Sequence, residues 1–397
     1  MGVVKDRFDL SETCTGVSHA FSLATVEIPG PVLLELAETA NSSTMCGQSN
    51  SIVSTPTEDL SSYIDASRSP IIIAGSLCVR ENLSKQLETL NIPVFSTVSA
   101  KGVVNELMSH SAGIFTGVGL ELTPEFELIS KADLVIGIGL RNTEVLAATP
   151  FDCPSINFDK TRNKTTLGFE FDSVYDISLA SVLLDQLKDK YWGHECVATA
   201  RNALVTHISR IGFLPVNVLE TIAQIFPNNV RLVVDTGDFC TIAEHIWSSS
   251  DPNYFLCSGN SRCMGASIPM AIGACLFEPK VPTIAIVGDG GIGMYISELK
   301  LAVANNLPLL VLLLSDGGYG SIRRRAIRDN LSQAPLLIES SSWLKTVEGI
   351  GIDGTRVCGQ VDFSQKVDNW NPEEGPLFIE CVFEAEHYLS MVNGIRN

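Results

Sequence analysis

Two glycine-rich turns carry the residues best suited to chemistry: Gly288-Asp289-Gly290-Gly291 and Ser315-Asp316-Gly317-Gly318. Each follows an apolar run of strand length, residues 283–287 and 309–314. Open α/β sheets place ligands at the carboxyl ends of such strands. Glycines let a ligand approach the backbone, and successive backbone N–H groups form a cradle for phosphate oxygens. A carboxylate in that cradle repels the anion unless a cation lies between them. Two aspartates on adjacent strand ends therefore point to a hard divalent ion such as Mg2+, shared with a diphosphate. Either turn alone reads equally well as a plain strand-to-helix turn with an aspartate N-cap; the pair favours the cation. Gly288, Gly290 and Gly293 also match the dinucleotide-binding fingerprint. No acidic residue stands about twenty positions on to hold a ribose, so a nicotinamide-type cofactor is not expected.

The elements that position these turns must be those of an α/β protein. Apolar runs of strand length alternate with amphipathic stretches of helix length, the pattern of parallel sheets buried on both faces. An opening block holds a helical stretch at 19–26 and a strand at 31–36. Residues 41–57 have the polar composition of a linker. A second block carries strands at 70–74, 92–97, 133–138 and 155–158 and a helix around 81–90. The more polar, helical stretch 161–212 reads as a second linker. A third block carries strands at 231–235, 283–287, 309–314 and 377–383, with helices around 241–247, 266–276 and 296–304. The expected architecture is two doubly wound parallel-sheet domains plus an N-terminal fragment of a third, divided at 1–45, 46–190 and 191–397.

Composition bounds the partners. The 397 residues are 45% hydrophobic and 18% charged, enough for sizeable cores. Lysine and arginine number 27 against 45 acidic residues, a net charge of −18. That excludes a broad electrostatic grip on nucleic acid or anionic lipid, while leaving room for a local cationic pocket. No run reaches the roughly eighteen apolar residues of a membrane span, and the charged N-terminus lacks an apolar signal core. The eleven cysteines form no C-x-x-C pair, and Cys78, Cys275 and Cys381 sit in apolar runs. Reduced core cysteines in a cytoplasmic protein are expected.

Asp289 and Asp316 lie 27 residues apart. With the Gly-Asp-Gly triplet, that spacing resembles the thiamine diphosphate-binding motif of the 2-oxo acid decarboxylase and carboligase family, which has Asn-Asn where this chain has Ser315-Asp316. The stretches MYISELKLAVANNLPLLVLLLSDGGYGSIR and GPLFIECVFEAEHYLSMV resemble acetohydroxyacid (acetolactate) synthase and its relatives. SGNSRCMGASIPMAIGA is similar to the family segment whose methionine precedes the aspartate by 25 residues, as Met264 precedes Asp289. LNIPVFSTVSAKGVV and KADLVIGIGLRNT look like the family's central domain.

The resemblance implies a thiamine diphosphate-binding fold and a set of roles. Asp289 and Asp316 would hold Mg2+ through their carboxylates and Gly318 through its backbone oxygen. Gly237, Asp238, Phe239, Gly288, Gly290, Gly291, Tyr319 and Gly320 would contact the cofactor around its diphosphate. Met264 would wedge beneath the cofactor and force its bent shape, and the carbonyl of Arg262 would face the aminopyrimidine. Three departures stand out. Asp316 for Asn and Asp238 where relatives often have Gln add negative charge, and Arg262 replaces a Gly. Arg141 matches an arginine used for FAD in some relatives, but the flanking pattern is absent and FAD is not expected. Arg323, Arg324, Arg325 and Arg328 could clamp a substrate carboxylate; a solvated helix face or subunit contact is the plainer reading. Glu244 and His245 could move protons, with packing or surface roles favoured; His387 receives no role.

Residues 19–38 resemble only the tail of the family's pyrimidine-binding domain. None of Glu12, Glu27, Glu35 and Glu38 stands at the position of the activating glutamate. The resemblance therefore implies that this catalytic residue comes from a separate subunit, in a hetero-oligomer such as α2β2. The implied activity is decarboxylation of a pyruvate-like 2-oxo acid and transfer of the acyl anion equivalent to a second carbonyl. The alternatives are release of an aldehyde, or a non-catalytic cofactor-binding scaffold.

Overall fold

The computed structural model describes residues 7–9, 15–26, 30–35, 58–141, 144–145, 150–161, 171–208, 212–227, 230–259, 262–338 and 342–396. The polar stretch 41–57 lies outside them. In chain order the strands are β1 (Arg7–Asp9), β2 (Leu33–Glu35), β3 (Pro70–Ala74), β4 (Val94–Ser96), β5 (Ser111–Ile114), β6 (Leu134–Ile138), β7 (Ser155–Asp159), β8 (Ser173–Asp176), β9 (Arg231–Val234), β10 (Phe255–Cys257), β11 (Thr283–Gly288), β12 (Leu309–Ser315), β13 (Asp353–Val357) and β14 (Leu377–Val382). β1 and β2 pair in parallel across the helix Thr15–Thr25, a single βαβ unit. That helix leaves Val17 and Phe21 exposed, as is Val26 just after it.

The other twelve strands form two six-stranded, all-parallel sheets, ordered β5-β4-β3-β6-β7-β8 and β10-β9-β11-β12-β14-β13. Strand side chains alternate between faces, and both faces of each sheet are covered. In β11 and β12, Ile284, Ile286, Leu310 and Leu312 enter one core with the helix Pro215–Ile225. Ala285, Val287, Val311 and Leu313 enter another with the helix Ser267–Phe277. This is why these strands read as continuous apolar runs. Cys78, Cys275 and Cys381 are buried in these cores. Among the described residues no helix is long and apolar enough to cross a membrane.

Two sequence expectations need correction. The helix around 81–90 is two short turns of helix, Ser76–Arg80 and Ser84–Leu87, separated where Asn82 takes a positive φ of 56°. The part 171–208 of the stretch 161–212 is largely helical as expected but is not a linker: β8 is the edge of the central sheet, and Leu183, Leu184 and Leu187 of the next helix enter that sheet's core. Its polarity reflects solvent-facing helix surface and an edge strand, not a lack of structure.

A buried ionic cluster joins the two large domains. Lys101 Nζ donates to both Glu106 carboxylate oxygens, at 2.8 and 2.6 Å, and to the Glu244 carbonyl at 2.9 Å. Glu106 accepts from the Ser249 backbone N–H at 2.7 Å. Burial pushes the Lys101 pKa down, and Glu106 opposes that. Removing one charge of such a pair leaves the other stranded. Glu106→Gln should cost about 3–5 kcal/mol and loosen the contact with Ser249, so that calorimetry shows a lower, broader unfolding transition than the parent chain. An unchanged Tm and width would refute this account of the domain contact.

Candidate functional site

β9, β11 and β12 emerge side by side at one edge of the C-terminal sheet. Each runs almost directly into a helix: Asp238–Ile246, Asp289–Tyr295 and Gly320–Arg328. From β9 the chain goes outward to β10 and then crosses back past β9 to β11, so the strand order reverses here and the crevice at these carboxyl ends is a topological switch point. Three helix N-termini, with their unsatisfied N–H groups and positive dipole ends, therefore converge. Between them lies a narrow cleft of about 60 Å3 lined by Gly237, Asp238, Phe239, Met264, Gly288, Asp289, Gly290, Gly291, Asp316, Gly318, Tyr319 and Gly320. The cofactor residues expected from sequence are thus brought together, with the exception of Arg262.

Asp289 opens its helix, but it is not a plain N-cap. Its Oδ2 reaches the neighbouring turn and accepts from the backbone N–H groups of Asp316, at 2.9 Å, and Gly317, at 3.0 Å. Asp289 Oδ1 and Asp316 Oδ2 are buried with no hydrogen-bond partner. Burial raises the pKa of Asp289. Asp316 is pushed up to about 7, first by burial and then by the Asp289 charge. Buried carboxylate oxygens are rarely left unpaired, and this pair fits a cation held between the two turns. Among the described residues no group of three or more His, Cys, Asp or Glu side chains is placed to hold a metal. Two carboxylates and a backbone oxygen are nonetheless what Mg2+ uses when phosphates and water complete its shell.

The glycines are set by close approach. A Cβ on Gly290 would stand 2.5 Å from the Tyr319 ring, and one on Gly291 would stand 2.1 Å from Asp235 Oδ2. Asp235, at the end of β9, accepts from the Gly265 N–H at 2.7 Å and so ties down the turn that presents Met264. Met264 is 37% exposed, which excludes an ordinary core methionine, and it lines the cleft.

The charge added by two departures is locally compensated. Arg324 Nη2 donates to the buried Asp238 carboxylate at 3.1 Å. Arg323 Nη1 lies 3.5 Å from Asp316 Oδ2. Half of the arginine run thus serves as counter-ions within the site, while Arg325 and Arg328 are exposed. Arg262 pairs through its guanidinium with the buried Glu244. His245 is held neutral, its pKa lowered to about 4 by burial, so neither it nor Glu244 lines the cleft as a free proton carrier. Arg141 sits in the central domain, ion-paired with Asp159 at 2.9 Å, and His387 is an exposed partner of Glu384. Sequence reasoning missed Asp235 and Tyr388. The latter lines the cleft from the C-terminal segment with its ring buried. A strand-terminal aspartate and a lone tyrosine far along the chain give no local signal.

Residues 235–381 match the C-terminal TPP binding domain of thiamine pyrophosphate enzymes, and residues 57–168 match their central domain. The chain is built from the central and C-terminal domains of thiamine pyrophosphate enzymes. Curated relatives include the "putative thiamine pyrophosphate-containing protein YdaP" of Bacillus subtilis, 25% identical over 82% of this chain and 58% of that protein. A "probable acetolactate synthase large subunit" of Methanococcus aeolicus is 23% identical over 99% of this chain and 74% of that protein. A "probable 2-ketoarginine decarboxylase AruI" of Pseudomonas aeruginosa is 27% identical over 65% of this chain and 48% of that protein. The chain thus spans 58% of the first of these relatives and 48% of the third.

The raised Asp316 pKa gives a signed prediction. An unfolded chain releases this proton near 3.8, whereas the metal-free native site holds it to about 7. The native state therefore binds the extra proton between these values, and the stability it contributes falls as pH rises through them. A divalent cation bound between the two carboxylates would compete with that proton. Mg2+ with thiamine diphosphate should raise the Tm more at pH 8 than at pH 5.5; an equal shift at both would contradict the paired-carboxylate site.

Proposed function

We propose that this chain binds thiamine diphosphate with a divalent cation in the cleft and catalyses decarboxylation of a 2-oxo acid, with transfer of the acyl unit to a second carbonyl as in acetolactate synthesis. The observation that carries the reading is a pair of buried carboxylates at the meeting point of three helix N-termini: Asp289 Oδ1 has no hydrogen-bond partner, and Asp316 Oδ2 has only the ion-pair contact with Arg323 at 3.5 Å. When bound, thiamine diphosphate supplies the nucleophilic carbon and the electron sink that let CO2 leave.

The chain's own residues position that chemistry. Asp289 and Asp316 would hold the cation through their carboxylates, with Gly318 offering its carbonyl. The helix N-termini at Asp238, Asp289 and Gly320 would hold the diphosphate through their N–H groups and dipoles. Asp235 fixes the turn that carries Met264, whose side chain lines the cleft and would support the bound cofactor from beneath. Arg323 and Arg324 hold Asp316 and Asp238 in place and offset their charge. The similarity to the probable 2-ketoarginine decarboxylase favours a second outcome at the same site, protonation to an aldehyde.

The activating glutamate is supplied, in this reading, by a second polypeptide carrying a pyrimidine-binding unit, in a hetero-oligomer. Two features support it. The described residues that line the cleft include no acidic side chain beyond Asp238, Asp289 and Asp316. Beside the cleft stand the exposed apolar side chains of Met264, Met294, Tyr295 and Ile322, and the helix Thr15–Thr25 exposes Val17 and Phe21. Calorimetric titration of the chain with thiamine diphosphate and Mg2+, followed by turnover of pyruvate with and without the partner polypeptide, tests both parts. Cofactor binding that EDTA abolishes, with turnover only in the mixture, is expected. Absence of cofactor binding even with the partner would end the reading, and full turnover by the chain alone would end its partner half.

A further inference from the structure

A cavity larger than the cleft lies beside it. A groove of about 560 Å3 runs between the helix Gly320–Arg328 and the C-terminal residues 393–396. Four arginines line it, Arg324, Arg325, Arg328 and Arg396, and among the described residues no acidic side chain does. In a chain with 45 acidic residues and 27 basic ones, that segregation makes it a local cationic pocket on an acidic molecule. It adjoins the cleft directly, because Ser321 and Ile322 line both.

The helix geometry makes the groove directional. Ser321, Arg324, Arg325 and Arg328 stand at offsets of zero, three, four and seven, one face of an α-helix. At about 1.5 Å per residue that face carries positive charge roughly 10 Å away from the cleft. The inner arginines have fixed partners. Arg324 bonds Asp238 at 3.1 Å and the Arg396 carbonyl at 2.7 Å, tying the helix to the C-terminal segment. Its Nε is buried without a partner. Arg396 Nη1 donates to Thr241 Oγ1 at 3.1 Å. The outer two are exposed. Arg328 is paired with Asp329 at 2.9 Å, an exposed pair of little energetic weight, and Arg325 is within electrostatic reach of the same aspartate.

Resting on the reading that the cleft handles a 2-oxo acid, we propose that this groove selects a 2-oxo acid carrying a second anionic group at its far end. The reacting carboxylate would lie at the cleft, and the distal anion would meet the guanidinium groups of Arg325 and Arg328, which suit planar, bidentate recognition. A short monocarboxylate such as pyruvate would leave the outer arginines unused.

The matched probes are 2-oxoadipate and 2-oxohexanoate, which have equal carbon counts and differ in the distal carboxylate. Calorimetry on the full chain at low salt, with thiamine diphosphate and Mg2+ present, should show 2-oxoadipate binding at least about tenfold tighter. Arg325→Gln with Arg328→Gln should erase the difference while leaving 2-oxohexanoate and thiamine diphosphate affinity unchanged. Arg325→Lys with Arg328→Lys should retain part of it. Equal binding of the two probes by the parent chain, or a preference untouched by the glutamine pair, would overturn the proposal. A 2-oxoadipate preference that depends on the arginines, in a chain that binds no thiamine diphosphate, would instead sink the cofactor reading and leave the groove as an anion site.

Discussion

The structure depends on one carboxylate that belongs to two turns. Asp289 begins the helix after β11, yet its Oδ2 accepts from amides of the turn after β12. That bridge holds two strand ends in register at the point where a ligand would lie. It also leaves Asp289 Oδ1 and Asp316 Oδ2 buried without hydrogen bonds, with the two carboxylates close enough for the Asp289 charge to raise the Asp316 pKa, an arrangement that like charges resist. The burial and repulsion that raise the Asp316 pKa are the cost of keeping this geometry ready, and a cation between the carboxylates relieves both.

Around that bridge the charges are arranged in layers. Asp238 and Asp316 are departures from the family pattern that would repel a diphosphate if left alone. Each is met by an arginine from one helix, Arg324 and Arg323. The substitutions therefore read as a compensated set, not as decay of the site. Arg325 and Arg328 of the same helix are exposed along a groove in which no described acidic side chain stands. One nine-residue helix thus supplies counter-ions to the site through Arg323 and Arg324 and presents positive charge beyond it through Arg325 and Arg328.

Much of this was legible in the sequence because the chemistry sits on backbone loops directly after apolar strands. Where β11 and β12 are buried on both faces, an unbroken apolar run followed by Gly-Asp-Gly has few other structural meanings. The 27-residue spacing between the aspartates then reports one βαβ unit. What stayed hidden has physical reasons. β13, Asp353–Val357, is an edge strand with mostly accessible side chains, and β10 has only three residues, so neither shows an apolar run. β8 and the helix after it were mistaken for linker because their outer surfaces are polar. The partners of Arg324 and Asp235 lie 86 and 30 residues away, at Asp238 and Gly265. Local periodicity carries no information about such pairings.

The most direct test of the central claim is electron paramagnetic resonance of Mn2+ substituted for Mg2+ in the purified chain, with its partner present where binding requires it. The account predicts one bound ion per chain, formed only with thiamine diphosphate, showing hyperfine coupling to phosphorus and lost in Asp289→Asn. Bound Mn2+ without phosphorus coupling, or with a spectrum indifferent to Asp289, would contradict a cation held between these two turns and a diphosphate.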